Sequence, residues 1–173
     1  FYISGAIPSF IDSLFVTISG FTTTGASILT EIETLPKGIL FWRSFTHWIG
    51  GMGVLVFVMA IVPLAGDRSI HVMRAEVPGP TMEKLVPRIK GTAKLLYSIY
   101  ILLTVVEVIF LVAGKMPVFD SLVHAFGTAG TGGFSIMNAS IAAYGSPYLE
   151  YVIAIFIMLF GVNFTIFFLL LAR

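Results

Sequence analysis

The chain has 173 residues, of which 57% are hydrophobic and 11% charged, and its mean hydropathy is +0.99. Ten Lys and Arg with nine Asp and Glu cannot cover a core containing sixteen Phe, which excludes a water-soluble fold and makes the bilayer the solvent. A net charge of +1 argues against a nucleic-acid partner, and zero cysteines exclude disulfides, thiolate catalysis and thiolate metal sites.

In chain order, the sequence opens at Phe1 without an initiator Met or a visible signal peptide, and it is expected to be an internal piece of a longer protein. Pro8 to Ser19 is apolar but only about three turns long, so it cannot cross about 30 Å of hydrocarbon, which takes roughly 20 helical residues. It starts with Pro, carries Asp12 near the positive end of the helix dipole, and runs into Phe21-Thr22-Thr23-Thr24-Gly25-Ala26-Ser27, which is poor continuing helix. Ser44 to Gly66 is long enough to span and holds no formal charge, although His47 lies within it. Ala65 to Lys94 is a polar linker with bases at Arg68, Arg74, Lys84, Arg88, Lys90 and Lys94 against acids at Asp67, Glu76 and Glu83.

Thr92 to Val112 is a second spanning segment, with Lys94 at one end and Glu107 near the other. Pro117 to Phe126 repeats the short-helix pattern, with Asp120 in its first turn, and leads into Gly127-Thr128-Ala129-Gly130-Thr131-Gly132-Gly133-Phe134-Ser135. Tyr151 to Ala172 is the third spanning segment. Arg173 falls on the side of the basic linker, and Lys37, Arg43 and Lys115 on the other, so positive-inside counting puts the linker in the cytoplasm. The short helices and their Gly/Thr segments then enter and leave from the extracytoplasmic face.

The two short-helix units are copies. Aligning Asp12-Ser13-Leu14 with Asp120-Ser121-Leu122, an offset of 108, places Thr23, Gly25, Ser27 and Ile28 on Thr131, Gly133, Ser135 and Ile136, seven matches from 12 to 28 without a gap. Membrane folds that repeat in this way place their site between the copies. Non-helical backbone at membrane depth survives only where it lines a wet cavity or is buried in protein. Carbonyl oxygens can replace the water around a bare monovalent cation, Gly lets successive carbonyls point one way, and the negative ends of both short helices favour a cation. Neither Gly/Thr segment contains a carboxylate, so a dehydrated alkali cation fits better than a divalent one.

With the Ser19 to Ser27 motif, the Phe41-Trp42-Arg43-Ser44-Phe45-Thr46-His47-Trp48-Ile49-Gly50-Gly51-Met52-Gly53 motif and Phe126 to Ser135 in this order, the chain resembles the Trk/Ktr/HKT superfamily of potassium transporters, most closely the bacterial Trk-type membrane subunit. The resemblance implies an all-α membrane protein of repeated helix, pore loop, helix units, with re-entrant pore helices and extended filter segments. Residues 1–66 would end the first repeat, 67–91 would form the basic cytoplasmic linker and 92–173 the second repeat. The carbonyls of Thr23, Thr24, Gly25, Thr131, Gly132 and Gly133 would form the potassium filter, with Thr22, Ser27 and Ser135 supporting it.

The same resemblance implies potassium as the transported ion with no tightly bound cofactor, and residence in the bacterial cytoplasmic membrane among lipid. Its implied partners are two further repeats of the same polypeptide, a second copy in a homodimer and a cytoplasmic nucleotide-binding regulatory ring. The first helix of repeat one, repeats three and four, the intramembrane gating loop and the basic residue below the filter have no counterpart here, so this chain alone is not expected to conduct.

Other readings of the same residues are plainer. Gly50, Gly51 and Gly53 permit close helix packing. His47, beside Trp42, Phe45 and Trp48, is expected at an interface, and Glu107 at the outer interface or paired with Arg43 or Lys115. Asn163 and Thr165 are expected to hydrogen-bond between helices. Gly127 to Ser135 has neither a Walker Lys nor the third Gly of a dinucleotide fingerprint, which excludes a phosphate cradle. An intramembrane hydrolase drawing on Ser27, Ser135, His47, His124 and Asp120, and a non-conducting scaffold, stand as the alternatives.

Overall fold

The computed structural model describes residues 1–61, 89–162 and 166–167, and no strand occurs among them. Among the described residues the α-helices in order are α1 (Phe10–Phe21), α2 (Lys37–Ile61), α3 (Ile89–Ala113), α4 (Val118–Ala129) and α5 (Pro147–Gly161), with a 3-10 turn at Ser140–Tyr144 before α5. The expected short helices are α1 and α4, both 12 residues long. At 1.5 Å per residue each is about 18 Å long and cannot cross the bilayer. Both run further than the Gly/Thr composition suggests: α1 takes in Phe21, and α4 takes in Gly127, Thr128 and Ala129. Burial outweighs weak propensity in α4, whose residues Val123 to Ala129 are all buried.

The helix starts follow from local chemistry. Ser9 caps α1 by accepting from the Asp12 amide at 3.3 Å, and Asp12 lies in the first turn. In α4 the cap position is Pro117, at φ −53° with no side-chain bond, and Asp120 occupies the first turn.

Of the three expected spans, Thr92 to Val112 lies in α3. Its stretch Leu96–Ala113, with hydropathy 2.4, is the one helix among the described residues that is long and apolar enough to cross a membrane. It exposes Ile101, Leu102, Val105, Ile109, Phe110 and Val112, a face suited to lipid. The span predicted from Ser44 begins earlier, at Lys37, and residues 62–66 lie outside the described residues, as does most of the basic linker. The continuous span predicted over Tyr151 to Ala172 is corrected: α5 ends at Gly161, and Val162 is extended at φ −68°, ψ 139°. Gly, the weakest helix former after Pro, stands at the break. Asn163 and Thr165 lie outside the described residues.

Helix α4 is the hub, packing against α2, α3 and α5, while α1 packs on α2. Between α2 and α4, Phe41, Phe45 and Trp48 each sit within 5.8 Å of the Phe126 ring, measured between centroids. Trp48 donates to Thr104 Oγ1 at 3.2 Å, and the Tyr100 hydroxyl donates to the Trp48 carbonyl at 3.0 Å, which ties α2 to α3. The Tyr144 hydroxyl, in the 3-10 turn, donates to Asp120 Oδ2 at 2.8 Å; burial first, then this bond and the carboxylate charge, raise the phenol above its ordinary pKa.

Two expectations for α2 and α3 are overturned. His47 is not interfacial but fully buried, stacked on Phe134 with centroids 3.7 Å apart and both ring nitrogens without a hydrogen-bond partner. Backbone of Gly127 and of Ser19 faces it. Glu107 is likewise fully buried, and its carboxylate oxygens have no hydrogen-bond partner, so it neither reaches an interface nor pairs with Arg43 or Lys115. Thr128 stands beside Glu107 but gives its hydroxyl proton to the His124 carbonyl at 2.9 Å.

Candidate ion-conduction site

The Gly/Thr segments follow the two short helices and meet each other. At the offset of 108, Phe10 and Phe21 fall on Val118 and Ala129, so the helix boundaries match at both ends. Both helices then turn through a right-handed residue, Thr22 (φ −83°, ψ 0°) and Gly130 (φ −77°, ψ −1°). The next residue is left-handed in both copies, Thr23 and Thr131, each at φ 56°. Two residues later the chain is left-handed again, at Gly25 (φ 75°) and Gly133 (φ 70°).

Hydrogen bonds repeat with the same register. The Thr23 amide donates to Gly20 O at 3.1 Å and the Thr131 amide to Thr128 O at 2.7 Å. The Leu29 amide donates to Ser27 Oγ at 3.2 Å and the Met137 amide to Ser135 Oγ at 3.0 Å. Left-handed φ is routine for Gly but costs a β-branched residue about 1–2 kcal/mol. Two Thr held there at matched positions mark the segment as a place where backbone direction is fixed at the expense of local stability.

The segments are in direct contact. A Cβ on Gly25 would collide with the carbonyl of Gly132, and one on Gly132 would lie 3.0 Å from the Thr23 carbonyl and against the His47 ring. Thr23, Gly25 and Gly132 are thereby brought together. Thr24 is tied to its own helix, with its amide 3.0 Å from Ser19 O and its hydroxyl 2.8 Å from Thr22 Oγ1. Thr22 gives its own proton to Ile18 O at 2.8 Å, so Thr24 is the donor of that pair. Above the segments the loops are joined: the Ile32 amide donates to Asn138 Oδ1 at 2.9 Å, and the Asn138 amide to Glu33 Oε1 at 3.0 Å.

The packing glycines behave as expected in part. A Cβ at Gly50 would strike the Phe21 carbonyl, and one at Gly51 would come 2.7 Å from the Tyr100 hydroxyl and 3.2 Å from Gly130, whereas Gly53 has open space. Helix α2 therefore packs against both Gly/Thr segments, through Gly50 at Phe21 and through Gly51 and His47 at Gly130 and Gly132.

The hydrolase constellation is brought together only in outline. His124 Nε2 lies 2.9 Å from Ser135 Oγ, but Nδ1 faces the Asp120 main-chain carbonyl at 2.7 Å, and the Asp120 carboxylate takes the Tyr144 proton instead. Ser135 is 7% exposed and its oxygen already accepts from Met137. No carboxylate orients the imidazole, and no accessible nucleophile results. Among the described residues no group of three His, Cys, Asp or Glu could hold a metal ion.

Comparison with known proteins gives the class of this helical chain with its paired left-handed Gly/Thr segments: membrane transport proteins. Residues 2–173 match the TrkH family, cation transport proteins, and the chain belongs to it. It is 44% identical over 162 residues to the Trk system potassium uptake protein TrkH of Salmonella typhimurium, covering 93% of this chain and 34% of that protein. It is 36% identical over 166 residues to the Trk system potassium uptake protein TrkG of Escherichia coli, covering 95% and 34%. The crystal structure of the potassium transporter TrkH from Vibrio parahaemolyticus superposes with a TM-score of 0.74 at 36% identity, over 92% of this chain and 31% of that one. The chain spans about a third of the length of these relatives. They are transport proteins, not enzymes.

Proposed function

We propose that this chain forms two of the repeats around the pore of a Trk-type potassium-uptake protein. In this reading, main-chain oxygens of Thr23, Thr24, Gly25, Thr131, Gly132 and Gly133 contribute half of a potassium filter. The observation that carries it is the left-handed backbone at Thr23 and Thr131, repeated two residues on at Gly25 and Gly133. Alternating the sign of φ along a short segment turns successive carbonyls towards one side, where they can stand in for the hydration shell of a monovalent cation. Both segments start at helix C-termini, whose partial negative charge favours a cation.

Residues 1–66 and 92–173 are then the two repeat portions and 67–91 a cytoplasmic linker, with the Gly/Thr segments opening to the extracytoplasmic side of the bacterial cytoplasmic membrane. Two more repeats of the same polypeptide complete the ring, and a second subunit and a nucleotide-binding regulatory ring are its partners. Thr22, Ser27 and Ser135 support the filter through the hydrogen bonds already described.

Rubidium uptake by the full-length parent, in cells stripped of their own potassium transporters, tests this. Gly133→Asp is expected to abolish uptake while the protein still inserts in the membrane. Undiminished uptake by the inserted variant would sink the assignment of Gly133 to the filter.

A further inference from the structure

The second Gly/Thr segment is accessible from Thr131 to Gly133 and then dives into the protein: Phe134, Ser135 and Ile136 are 3%, 7% and 7% exposed. Two side chains from different helices converge on Ser135. Arg43 of α2, itself 2% exposed, donates from Nη1 to the Ser135 carbonyl at 3.0 Å and lays its guanidinium over the Phe134 ring, 3.7 Å from the centroid. His47, one turn along, stacks on the same Phe134 ring. His124 of α4 takes the hydroxyl. Its Nδ1 faces the Asp120 carbonyl, which can only accept, so the ring proton sits on Nδ1 and Nε2 receives the Ser135 proton. Both oxygens of Ser135 are thus fixed, one by each helix.

Stability alone does not account for Arg43. A buried guanidinium with Nε lacking any hydrogen-bond partner costs folding energy that an apolar side chain would not. What the guanidinium supplies is direction: its flat face is held on the Phe134 ring, and from there Nη1 aims one charge-assisted bond at the Ser135 carbonyl. Among the described residues the first copy has no Arg and His pair on its segment; there Ser19 Oγ donates to the Ala26 carbonyl at 2.6 Å. Its counterparts to Phe134 and Ser135 are Ala26 and an exposed Ser27, and Val16 stands where the second copy has His124.

We propose that Arg43 is a positioning residue for the second Gly/Thr segment: acting with His124 on the Ser135 peptide, it fixes the carbonyls of residues 131–133 and so sets the discrimination of potassium from sodium. The proposal rests on the potassium-filter reading above. Arg43 comes from the helix that follows the first copy, so one repeat tunes the filter segment of the next.

The test uses the full-length parent in transporter-deficient cells, measuring rubidium KM and Vmax, sodium uptake and membrane insertion for Arg43→Gln, Arg43→Lys and Ser135→Ala, with Gly133→Asp alongside. Loss of a charge-assisted bond predicts that Arg43→Gln raises the rubidium KM about tenfold and lowers the rubidium-to-sodium ratio by a similar factor, with insertion unchanged. Arg43→Lys recovers only part of the ratio. Ser135→Ala, which keeps the Arg43 bond and loses the His124 bond, shifts both quantities about threefold. Native KM and ratio in inserted Arg43→Gln overturn the proposal, as does a fall in Vmax alone, which is what a merely structural residue would give. If Arg43→Gln fails to insert, Ser135→Ala decides: a shift supports the proposal and native values overturn it. Dead Gly133→Asp beside a native Arg43→Gln removes only the positioning role, whereas an active Gly133→Asp removes the filter reading itself.

Discussion

The two copies of the short-helix unit share a backbone and differ in their surroundings. Helix α4 is buried along most of its length, with α2, α3 and α5 around it. Helix α1 buries only Ser13, Val16, Ser19 and Gly20 and exposes Phe10, Ile11, Leu14, Phe15, Ile18 and Phe21. The same contrast holds for the segments that follow, since Phe134 to Ile136 are buried and Ser27 and Ile28 are exposed. Equal φ values at Thr23 and Thr131 under such unequal cover show that the left-handed turn is built locally, by the amide bonds back to Gly20 and Thr128. Tertiary packing then decides how firmly each copy is held.

The largest effect that separates the copies is expected at the matched glycines. Ala at Gly25 meets two penalties, left-handed strain and a collision of its Cβ with the Gly132 backbone, which cannot yield as a side-chain end would. Ala at Gly133 meets the strain alone, because nothing lies within 4 Å of its Cβ. Strain of about 1–2 kcal/mol applies to both, and overpacking adds about 1–3 kcal/mol at Gly25. Gly25→Ala should therefore lower the unfolding temperature of the parent in detergent, and its rubidium uptake, well beyond Gly133→Ala. Equal losses would break the claim that the two segments touch at Gly25 and Gly132.

The next effect comes from exchanging a residue between copies. Ser19 occupies the first copy and donates to the Ala26 carbonyl at 2.6 Å, while Gly127 holds the matching place in the second. A Cβ at Gly127 would come 2.6 Å from the Phe134 carbonyl. Gly127→Ser therefore cannot reproduce the Ser19 bond and should destabilise the protein by about 1–3 kcal/mol, read as a lower unfolding temperature. A neutral outcome would mean that the second segment has room to retreat from α4, contrary to its burial.

Much of this comparison is legible in the sequence. The two short helices, the acid in each first turn and the repeat at an offset of 108 are all visible in the sequence, whereas the C-terminal ends of the helices are not, because burial carries α4 on through Gly127, Thr128 and Ala129. The buried ionisable groups are different. A residue-by-residue reading sends His47 and Glu107 to an interface and counts Arg43 on the outer side, because burial of a charge in the membrane is costly. Phe134, which receives Arg43 and His47 on its ring, lies some 90 residues further along the chain, and no periodicity in α2 announces it. One signal was available: Arg43 and His47 are four apart, hence on one helix face, one turn before Gly50 and Gly51. A face that pairs a cation and an imidazole with packing glycines points inward more readily than into lipid. The break at Val162 is a miss of another kind, since its sequence signal is the single Gly161, and a lone Gly inside an apolar run is also tolerated within a helix.

The smallest difference is at the helix starts, and it sharpens the comparison because packing does not enter. Ser9 is exposed and its bond to the Asp12 amide is long, at 3.3 Å, so Ser9→Ala should cost about 0.5 kcal/mol, the lower end of the range for N-caps. In the second copy Pro117 presets φ and makes no side-chain bond, so there is no matching cap to lose. Ser9→Ala is expected to leave rubidium uptake at its native level and to lower the unfolding temperature only slightly. A clear fall in uptake from so small a change would mean that the start of α1 is mechanically linked to Thr23 and Gly25. The weak cover of α1 would then be a functional freedom of the first copy, set against the rigid hold that Arg43 and His124 place on the second.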